Sequence, residues 1–284
     1  MYNTLEQLAA AAADRPMHEV VIADEAALTD ASPETIFETM RARWRVMCES
    51  ASLALDAPQP MQPPLIAGQS RRQAVYARGA TLTGGALNEM MARALSASEV
   101  NASMGRICAA PTAGACGVIP AVLHFAVQRT GAKEDEAVKA LLVASGVGAV
   151  ITRNATVAGA EGGCQAECGT AAAMAAAGAV YLAHGSPEAC IHAAAIALVN
   201  CMGLICDPVA GLVQFPCSFR NASQSVNAIT SADMALAGQR SVIPPDEVVD
   251  AMYRTGRALP ASMRETAEGG VAATPTGRRI AKSL

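Results

Sequence analysis

The sequence predicts an all-α fold, and the prediction starts from two helix beginnings and one periodic face. Ser32-Pro33-Glu34 and Ser186-Pro187-Glu188 each place a serine N-cap before a proline in the first turn, which is a typical helix start. Behind the first start, apolar residues recur from Ile36 to Met47 at steps of four, four and three, the spacing of one helical face. Only residues 20–23 have the pattern of a strand.

Further helices follow from runs of apolar and small residues between turn signals. They are predicted at 82–95, 117–128, 134–151, 165–184, 187–202, 218–237 and 246–255. Aromatic residues make up only 3% of the chain, so closely packed small side chains must fill the core. The expected architecture is a compact helical body with its reactive residues in the loops between helices.

A Pro-rich segment suggests how the chain is divided. Residues 57–79 contain four prolines and show no helical period, so they are interpreted as a linker or an extended arm. This divides an N-terminal helical extension with its Pro-rich linker, residues 1–80, from a main helical domain, residues 81–284. An Ala- and Gly-rich helical chain of 284 residues can still form one compact body.

Composition argues against several partners. A net charge of −4 and no basic run argue against nucleic acid and against anionic membrane surfaces. The longest apolar runs, 141–151 and 171–183, are shorter than the roughly 20 residues of a membrane-spanning helix. An odd number of cysteines without a secretory leader predicts a reducing, cytoplasmic location without disulfides.

Two common cofactor classes are also disfavoured. None of the three lysines lies in the Gly/Ser-rich phosphate-binding context of a pyridoxal phosphate site, so we expect no pyridoxal phosphate. The sequence has no Gly-rich dinucleotide loop and no Walker loop. The four histidines are scattered and receive no role.

Three of the nine cysteines lie at breaks in the backbone pattern, where metal ligands are expected. They occur in Glu161-Gly-Gly-Cys164, Cys206-Asp-Pro208 and Phe215-Pro-Cys217, and glycine and proline let the backbone leave a helix and approach a metal closely. Three thiolates are one fewer than a cubane iron–sulfur cluster takes, which would leave one iron open for substrate. Alternatively, all nine cysteines are buried small hydrophobic residues.

Two loops have the composition of a carboxylate-binding site. Residues 101–105 and 110–117 combine small residues, a hydroxyl and glycine, the second directly before a helix whose N–H groups carry partial positive charge. Thr112 can add a hydroxyl donor, or it can be a plain helix cap.

Three polar residues near the cysteines are further candidates. Glu167 follows Cys164 in a stretch nearly free of charge, where burial would raise its pKa into the range of a catalytic base; the alternative is an exposed acidic residue in a first helical turn. Arg220 and Asn221 follow Cys217 and are candidates for substrate binding or for pairing with a helix end.

These motifs resemble the iron–sulfur-dependent L-serine dehydratases, specifically the α chain of the two-subunit form. The resemblance is carried by Asn101-Ala-Ser-Met-Gly-Arg-Ile-Cys-Ala-Ala-Pro-Thr-Ala-Gly114, Gly162-Gly-Cys-Gln-Ala-Glu167, Gly203-Leu-Ile-Cys-Asp-Pro-Val-Ala-Gly211, Pro216-Cys-Ser-Phe-Arg-Asn221, Ala232-Asp-Met-Ala-Leu-Ala237 and the tail from Arg264 to Gly277. It extends over nearly the whole chain.

The resemblance implies a helical catalytic domain that holds a [4Fe–4S] cluster in its interhelical loops. The implied ligands are Cys164, Cys206 and Cys217, with the open iron as a Lewis acid for the serine hydroxyl. It also implies the conversion of L-serine to pyruvate and ammonia, part of serine catabolism and gluconeogenesis. The candidate catalytic residues are Glu167 and Ser103, and the candidate substrate-binding residues are Asn101, Thr112, Ala113, Gly114, Arg220 and Asn221.

The sequence differs from the family pattern in two ways. Cys116 and Cys168 occupy positions that usually carry small or aliphatic residues in the family, so extra thiols are expected near the cluster. The family's second module, a β domain, is missing, which implies a separate β subunit in an oligomer.

The alternative functions are an L-cysteine desulfidase, distinguished by its turnover of L-cysteine, and a non-catalytic iron–sulfur sensor or scaffold, which would release no ammonia.

Overall fold

The computed structural model describes residues 2–284 and confirms the all-α prediction within that range. The helices are α1 (Leu5–Ala11), α2 (Met17–Thr29), α3 (Pro33–Leu53), α4 (Gln69–Ala77), α5 (Gly85–Ala102), α6 (Val118–Thr130), α7 (Glu134–Asn154), α8 (Gly159–Gly162), α9 (Thr170–Leu182), α10 (Pro187–Cys201), α11 (Cys217–Leu236), α12 (Pro245–Ala258) and α13 (Pro275–Lys282). A π-helical turn, Gln165–Gly169, precedes α9. The described residues contain one isolated parallel bridge, between Cys206 and Arg264, and no sheet.

Both predicted helix starts are present. The Ser32 hydroxyl accepts a hydrogen bond from the Thr35 N–H at 3.2 Å, at the beginning of α3. The Ser186 hydroxyl accepts one from the Ala189 N–H at 3.2 Å, at the beginning of α10. Each bond satisfies an N–H group that has no partner within its helix.

Two sequence-based expectations are wrong. Residues 20–23 lie inside α2, because Val20 and Val21 face the core on the same side as Met17, and this packing outweighs the β-propensity of valine. Residues 57–79 are not irregular throughout, since α4 occupies their last part. Gly68 begins α4 from the left-handed region at φ 75°, a conformation that glycine adopts without strain.

The helix α9 forms the centre of the core. It packs against α6, α7, α10 and α11, and every residue except Tyr181 is buried. A side chain at Gly178 would place its Cβ 2.9 Å from Leu123 and 3.1 Å from the Ala140 carbonyl oxygen, so the neighbouring helices approach the backbone itself. The prediction that small residues fill the core is therefore confirmed.

The N-terminal helices share this core. Leu5, Met17 and Trp44, from α1, α2 and α3, belong to the same cluster of buried apolar residues as α7 and α9. The functional division at residue 80 stays a prediction. Within residues 2–284, no helix combines the length and the hydropathy that a bilayer crossing requires.

Candidate functional site

The three cysteines come together from three loops. Cys164 directly precedes the π-helical turn, Cys206 lies in an extended segment, and Cys217 is the first residue of α11. All three are buried, with exposed fractions of 2%, 3% and 9%. Burial, with a further contribution from the charge of Cys164, raises the pKa of Cys206 above its ordinary value and raises that of Cys217 to about 12. Because the charge of Cys164 acts on both other thiols, the three sulfurs lie in the same part of the protein.

A fully buried amide fixes the backbone around Cys164. The Gln165 side chain donates hydrogen bonds to the carbonyls of Gly162 at 3.0 Å and Met252 at 3.1 Å, and it accepts one from the Gly203 N–H at 2.8 Å. Gly163 adopts φ 75°, and a Cβ there would lie 2.8 Å from the Leu204 carbonyl oxygen. This explains why the sequence places glycine before the cysteine.

Thr112 and Glu167 connect two of the predicted loops. Thr112 precedes the 3-10 turn Ala113–Ala115 without capping it, and its hydroxyl donates to Glu167 Oε1 at 2.5 Å. A Cβ at Gly114 would lie 2.7 Å from the same oxygen, so only glycine allows the loop to approach the carboxylate. The Glu167 side chain is therefore directed toward the 110–117 loop.

Burial raises the pKa of Glu167 above the usual value of a glutamate. The Thr112 hydroxyl opposes this shift by donating to the charged form, and the negative charge of Glu265 adds to it. A carboxyl group with a raised pKa has the property expected of a catalytic base that works near neutral pH.

The Asn221 side chain is fully buried and joins α11 to the 110–117 loop. Its amide donates to the carbonyls of Gly114 at 2.7 Å and Cys217 at 2.9 Å, and its oxygen accepts from the Gly117 N–H at 2.8 Å. Both amide hydrogens are thus used within the protein in this conformation. Asn221 holds the beginning of α11 against the loop that carries Thr112.

Arg220 ties the Cys206 loop to α11. Its guanidinium donates to the Ile205 carbonyl at 2.8 Å and to Asp207 Oδ1 at 2.6 Å. The Asp207 side chain is 2% exposed, and its second oxygen accepts from the Val271 N–H at 2.7 Å. Burial lowers the pKa of Arg220, but the negative charges of Cys164 and Asp207 outweigh this effect and raise the pKa overall.

The remaining predicted residues lie beside a groove. Asn101 is in the last turn of α5, and Ser103 follows that helix, with its hydroxyl donating to the Val100 carbonyl at 2.8 Å. Together with Ala113 they line a groove of about 850 Å³ that also borders Gly211 and its neighbours. The structure thus places Thr112, Gly114, Glu167, Arg220 and Asn221 near the cysteines, and Asn101, Ser103 and Ala113 along this groove.

Several residues at the site were not predicted. The Glu265 N–H donates to the Cys206 carbonyl at 2.7 Å, which brings the C-terminal tail against the cysteine loop. An ideal Cβ on Gly159 would lie 3.0 Å from Cys206 Sγ, 3.1 Å from Glu167 Oε2 and 3.3 Å from Glu265 Oε2. The absence of a side chain at Gly159 therefore leaves a small space between these three groups. The only sequence signal for Glu265 was the resemblance of the tail, which assigned it no role.

The two additional thiols have different environments. A hydrogen bond from Cys168 is the main reason why the pKa of Cys164 is lowered, so these two sulfurs are neighbours. The Cys116 thiol donates to the Ala97 carbonyl at 3.6 Å. Within residues 2–284, no three Cys, His, Asp or Glu side chains form a group that could hold a metal ion.

Buried thiols, a carboxyl group with a raised pKa and a hydroxyl-bearing loop that meet in one place have the features of an enzyme active site. The family model described as serine dehydratase alpha chain matches residues 12–272, so the chain belongs to this family.

Similar curated proteins cover nearly the whole chain. It is 44% identical to the L-serine dehydratase, alpha chain, of Peptoniphilus asaccharolyticus, over 100% of this chain and 98% of the relative. It is also 44% identical to the probable L-serine dehydratase, alpha chain, of Bacillus subtilis (strain 168), over 94% of this chain and 89% of the relative. L-serine dehydratase 1 of Escherichia coli (strain K12) is 46% identical over 63% of this chain and 40% of the relative.

The buried hydrogen bonds of Asn221 make a prediction about stability. Asn221→Ala leaves a buried N–H and two carbonyls without their partner, so we expect the free energy of unfolding to fall by roughly 3 kcal/mol. Urea unfolding followed by helical circular dichroism measures this. Gln239→Ala, which removes an exposed amide, serves as the control and should change stability by less than about 0.5 kcal/mol. Equal stability of the two variants would contradict the assignment.

Proposed function

We propose that this chain is the catalytic α chain of an L-serine dehydratase, which converts L-serine to pyruvate and ammonia. The observation that carries the proposal is 44% identity over the full length to an α chain with that name. The geometry agrees with it, because the residues expected to act on serine meet at one place, around Glu167 and the three cysteines.

We further propose that the site holds a [4Fe–4S] cluster on Cys164, Cys206 and Cys217. The donor set fits such a group: three buried thiols converge from three rigidly held loops, and the glycine at 159 keeps space beside Cys206. A cluster attaches each thiolate to a different iron atom, so its ligands can stand further apart than those of a single ion. When bound, the cluster would supply Lewis acidity for the departure of the serine hydroxyl.

The residues of the chain would bind and deprotonate the substrate. The Thr112 hydroxyl, which donates to Glu167 in the free protein, would turn to the serine carboxylate and bind it together with the N–H groups of Ala113 and Gly114, at the beginning of a short helical turn. Glu167 then takes the Cα proton, and the electrons of that C–H bond form the Cα–Cβ double bond as the hydroxyl leaves. The departing hydroxide then takes this proton from Glu167, so the products are aminoacrylate and water and Glu167 is again a carboxylate. Aminoacrylate tautomerises to an imine that water hydrolyses to pyruvate and ammonia.

Arg220 and Asn221 have supporting roles in this proposal. Arg220 holds the Cys206 loop through Asp207 and Ile205, and Asn221 holds the Thr112 loop against α11. Both act by fixing the groups that surround the substrate. Asn101 and Ser103 line the groove through which L-serine would approach.

The assembly and location are also proposals. Relatives named as alpha chains support a separate β chain in an oligomeric enzyme. The nine cysteines are all free thiols, which supports a reducing, cytoplasmic location.

The activity is tested by anaerobic reconstitution of the purified chain with ferrous iron and sulfide, with and without the β chain, followed by a pyruvate assay. We expect pyruvate and ammonia from L-serine. Faster turnover of L-cysteine would favour a desulfidase. A bound cluster without ammonia release in the presence of the β chain would favour a sensor or scaffold subunit.

The proposed ligand set is tested separately. Replacement of Cys164, Cys206 or Cys217 by alanine should remove the visible iron–sulfur absorption after anaerobic reconstitution, because each thiolate holds a different iron. Cys190→Ala is the matched control: this thiol is fully buried in α10 within the apolar core, and its loss should leave the absorption unchanged. Full cluster content in one of the three variants would remove that residue from the set.

The role of Thr112 has a kinetic signature. Thr112→Val removes one hydroxyl donor to a charged group, which should cost about 1.5–3 kcal/mol, or roughly 10- to 150-fold in kcat/KM. The iron–sulfur absorption should stay at the wild-type level. Thr152→Val, which removes a hydroxyl bonded to the Gly148 carbonyl on α7, is the control. Wild-type kcat/KM in Thr112→Val would exclude Thr112 from substrate binding.

A further inference from the structure

A fully buried carboxylate lies near the groove without belonging to the cysteine site. Glu99, on α5, is 0% exposed. Its Oε1 accepts a hydrogen bond from the Ser70 N–H at 2.8 Å, and its Oε2 accepts from the N–H groups of Gly68 at 3.0 Å and Gln59 at 3.4 Å. All three donors are backbone groups from the Pro-rich part of the chain.

Burying a carboxylate away from water is unfavourable unless hydrogen bonds compensate for the lost solvation. Glu99 obtains this compensation in one arrangement, with residues 59–70 wrapped around it. Two of its donors, Gly68 and Ser70, are at the N-terminus of α4, where N–H groups lack a partner within the helix and favour a negative charge. Glu99 therefore fixes both ends of residues 57–68, which we call the arm.

The arm forms one wall of the groove. Pro60, Met61, Gln62 and Pro64 line it together with residues 211–214, with the residues from Asn101 to Met104 and with Ala113. Of these residues, Asn101 and Ala113 are among the substrate-binding candidates predicted from the sequence, and Ser103 is a predicted catalytic residue. The arm thus borders the path to the loop of Thr112.

A second set of contacts ties the arm to the cysteine site. The Leu65 N–H donates to Gln214 Oε1 at 3.1 Å, and the Ser218 hydroxyl donates to Gln69 Oε1 at 2.8 Å. Gln214 and Ser218 are on either side of Cys217 in the sequence. A displacement of the arm would therefore change the groove and the surroundings of Cys217 together.

We propose that Glu99 is a positioning residue that holds the arm as a fixed wall of the substrate's path, and so contributes to the binding of a small amino acid. This inference rests on the proposed function. Met61 and the prolines give this wall a mainly apolar, rigid surface. A wall held in one position keeps the width of the groove fixed, which limits the size of the side chain that it admits.

The test variant is Glu99→Gln, which keeps the size of the side chain but turns one acceptor oxygen into an N–H donor that faces a backbone N–H. In the reconstituted enzyme with its β chain, we expect KM for L-serine to rise by roughly tenfold or more, because a hydrogen bond to a charged group is lost. We expect kcat to stay within about twofold, because the groups that react with serine are unchanged. Trypsin should cleave faster at Arg71 and Arg72, which are exposed in α4 directly after the arm.

Two further variants complete the comparison. Glu89→Gln removes a charge from the same helix, at a side chain that is 42% exposed and pairs with Arg93, and it should alter neither KM nor cleavage. Glu99→Asp keeps the charge and should lie closer to wild type than Glu99→Gln. A stable Glu99→Gln with wild-type KM and wild-type cleavage would overturn the inference and leave the proposed function intact. Failure of the wild-type holoenzyme to form pyruvate would instead overturn the proposed function.

If Glu99→Gln does not fold, Met61→Ala decides the question. Met61 lines the groove and is 7% exposed, so shortening its side chain to a methyl group widens the groove at that point. We expect a higher KM for L-serine and an increased kcat/KM ratio of L-threonine to L-serine, with helical circular dichroism unchanged. An unchanged KM and an unchanged ratio would show that the arm does not border the substrate's path.

Discussion

The geometry of the site depends on two fully buried amide side chains. Gln165 connects Gly162, Gly203 and Met252, and Asn221 connects the Thr112 loop with the beginning of α11. Each amide uses both hydrogens and its oxygen on backbone groups, several of which lie in loops or at helix ends. Such groups must find partners when they are buried, and a neutral amide satisfies them without adding a charge beside the thiols and Glu167.

The packing of α9 explains how these loops can lie so close to one another. Its alanines and glycines let α7, α10 and α11 approach its backbone, so the loops that these helices connect meet over a short distance. The π-helical turn at the beginning of α9 directs Glu167 toward Thr112. Single-turn π-helices of this kind are frequent at functional sites, where they turn a side chain out of the regular helical pattern.

The sequence predicted the parts of this structure that are encoded locally. Serine and proline at a helix start, or glycine before Cys164, act within a few residues, and both were recognised correctly. The contact between Thr112 and Glu167 spans 55 residues and leaves no periodic signal. The strand at 20–23 was predicted wrongly because β-branched residues also fill helical faces when tertiary packing requires it.

The structural roles of Glu99 and Asp207 could not be predicted, because they arise from the burial of their charged side chains in the folded protein. Nothing in the local sequence shows that Glu99 will be surrounded by N–H groups from 29 to 40 residues away, or that Asp207 will bridge Arg220 and the tail at Val271. These contacts form only after folding has buried each carboxylate and placed distant backbone N–H groups or an arginine next to it.

The two carboxylates have parallel structural roles on opposite sides of the cysteine loops. Glu99 fastens the arm from the N-terminal third, and Asp207 fastens the C-terminal tail, where the Glu265 N–H also bonds to the Cys206 carbonyl. Irregular backbone is normally the mobile part of a protein, but here buried side chains satisfy its polar groups and restrict it. Groups held in this way need little reorganisation when a charged substrate arrives, which is the condition under which fixed dipoles stabilise developing charge most strongly. The fixed positions of the loops, and not only those of the helices, therefore make this site suitable for stabilising the charge that develops during catalysis.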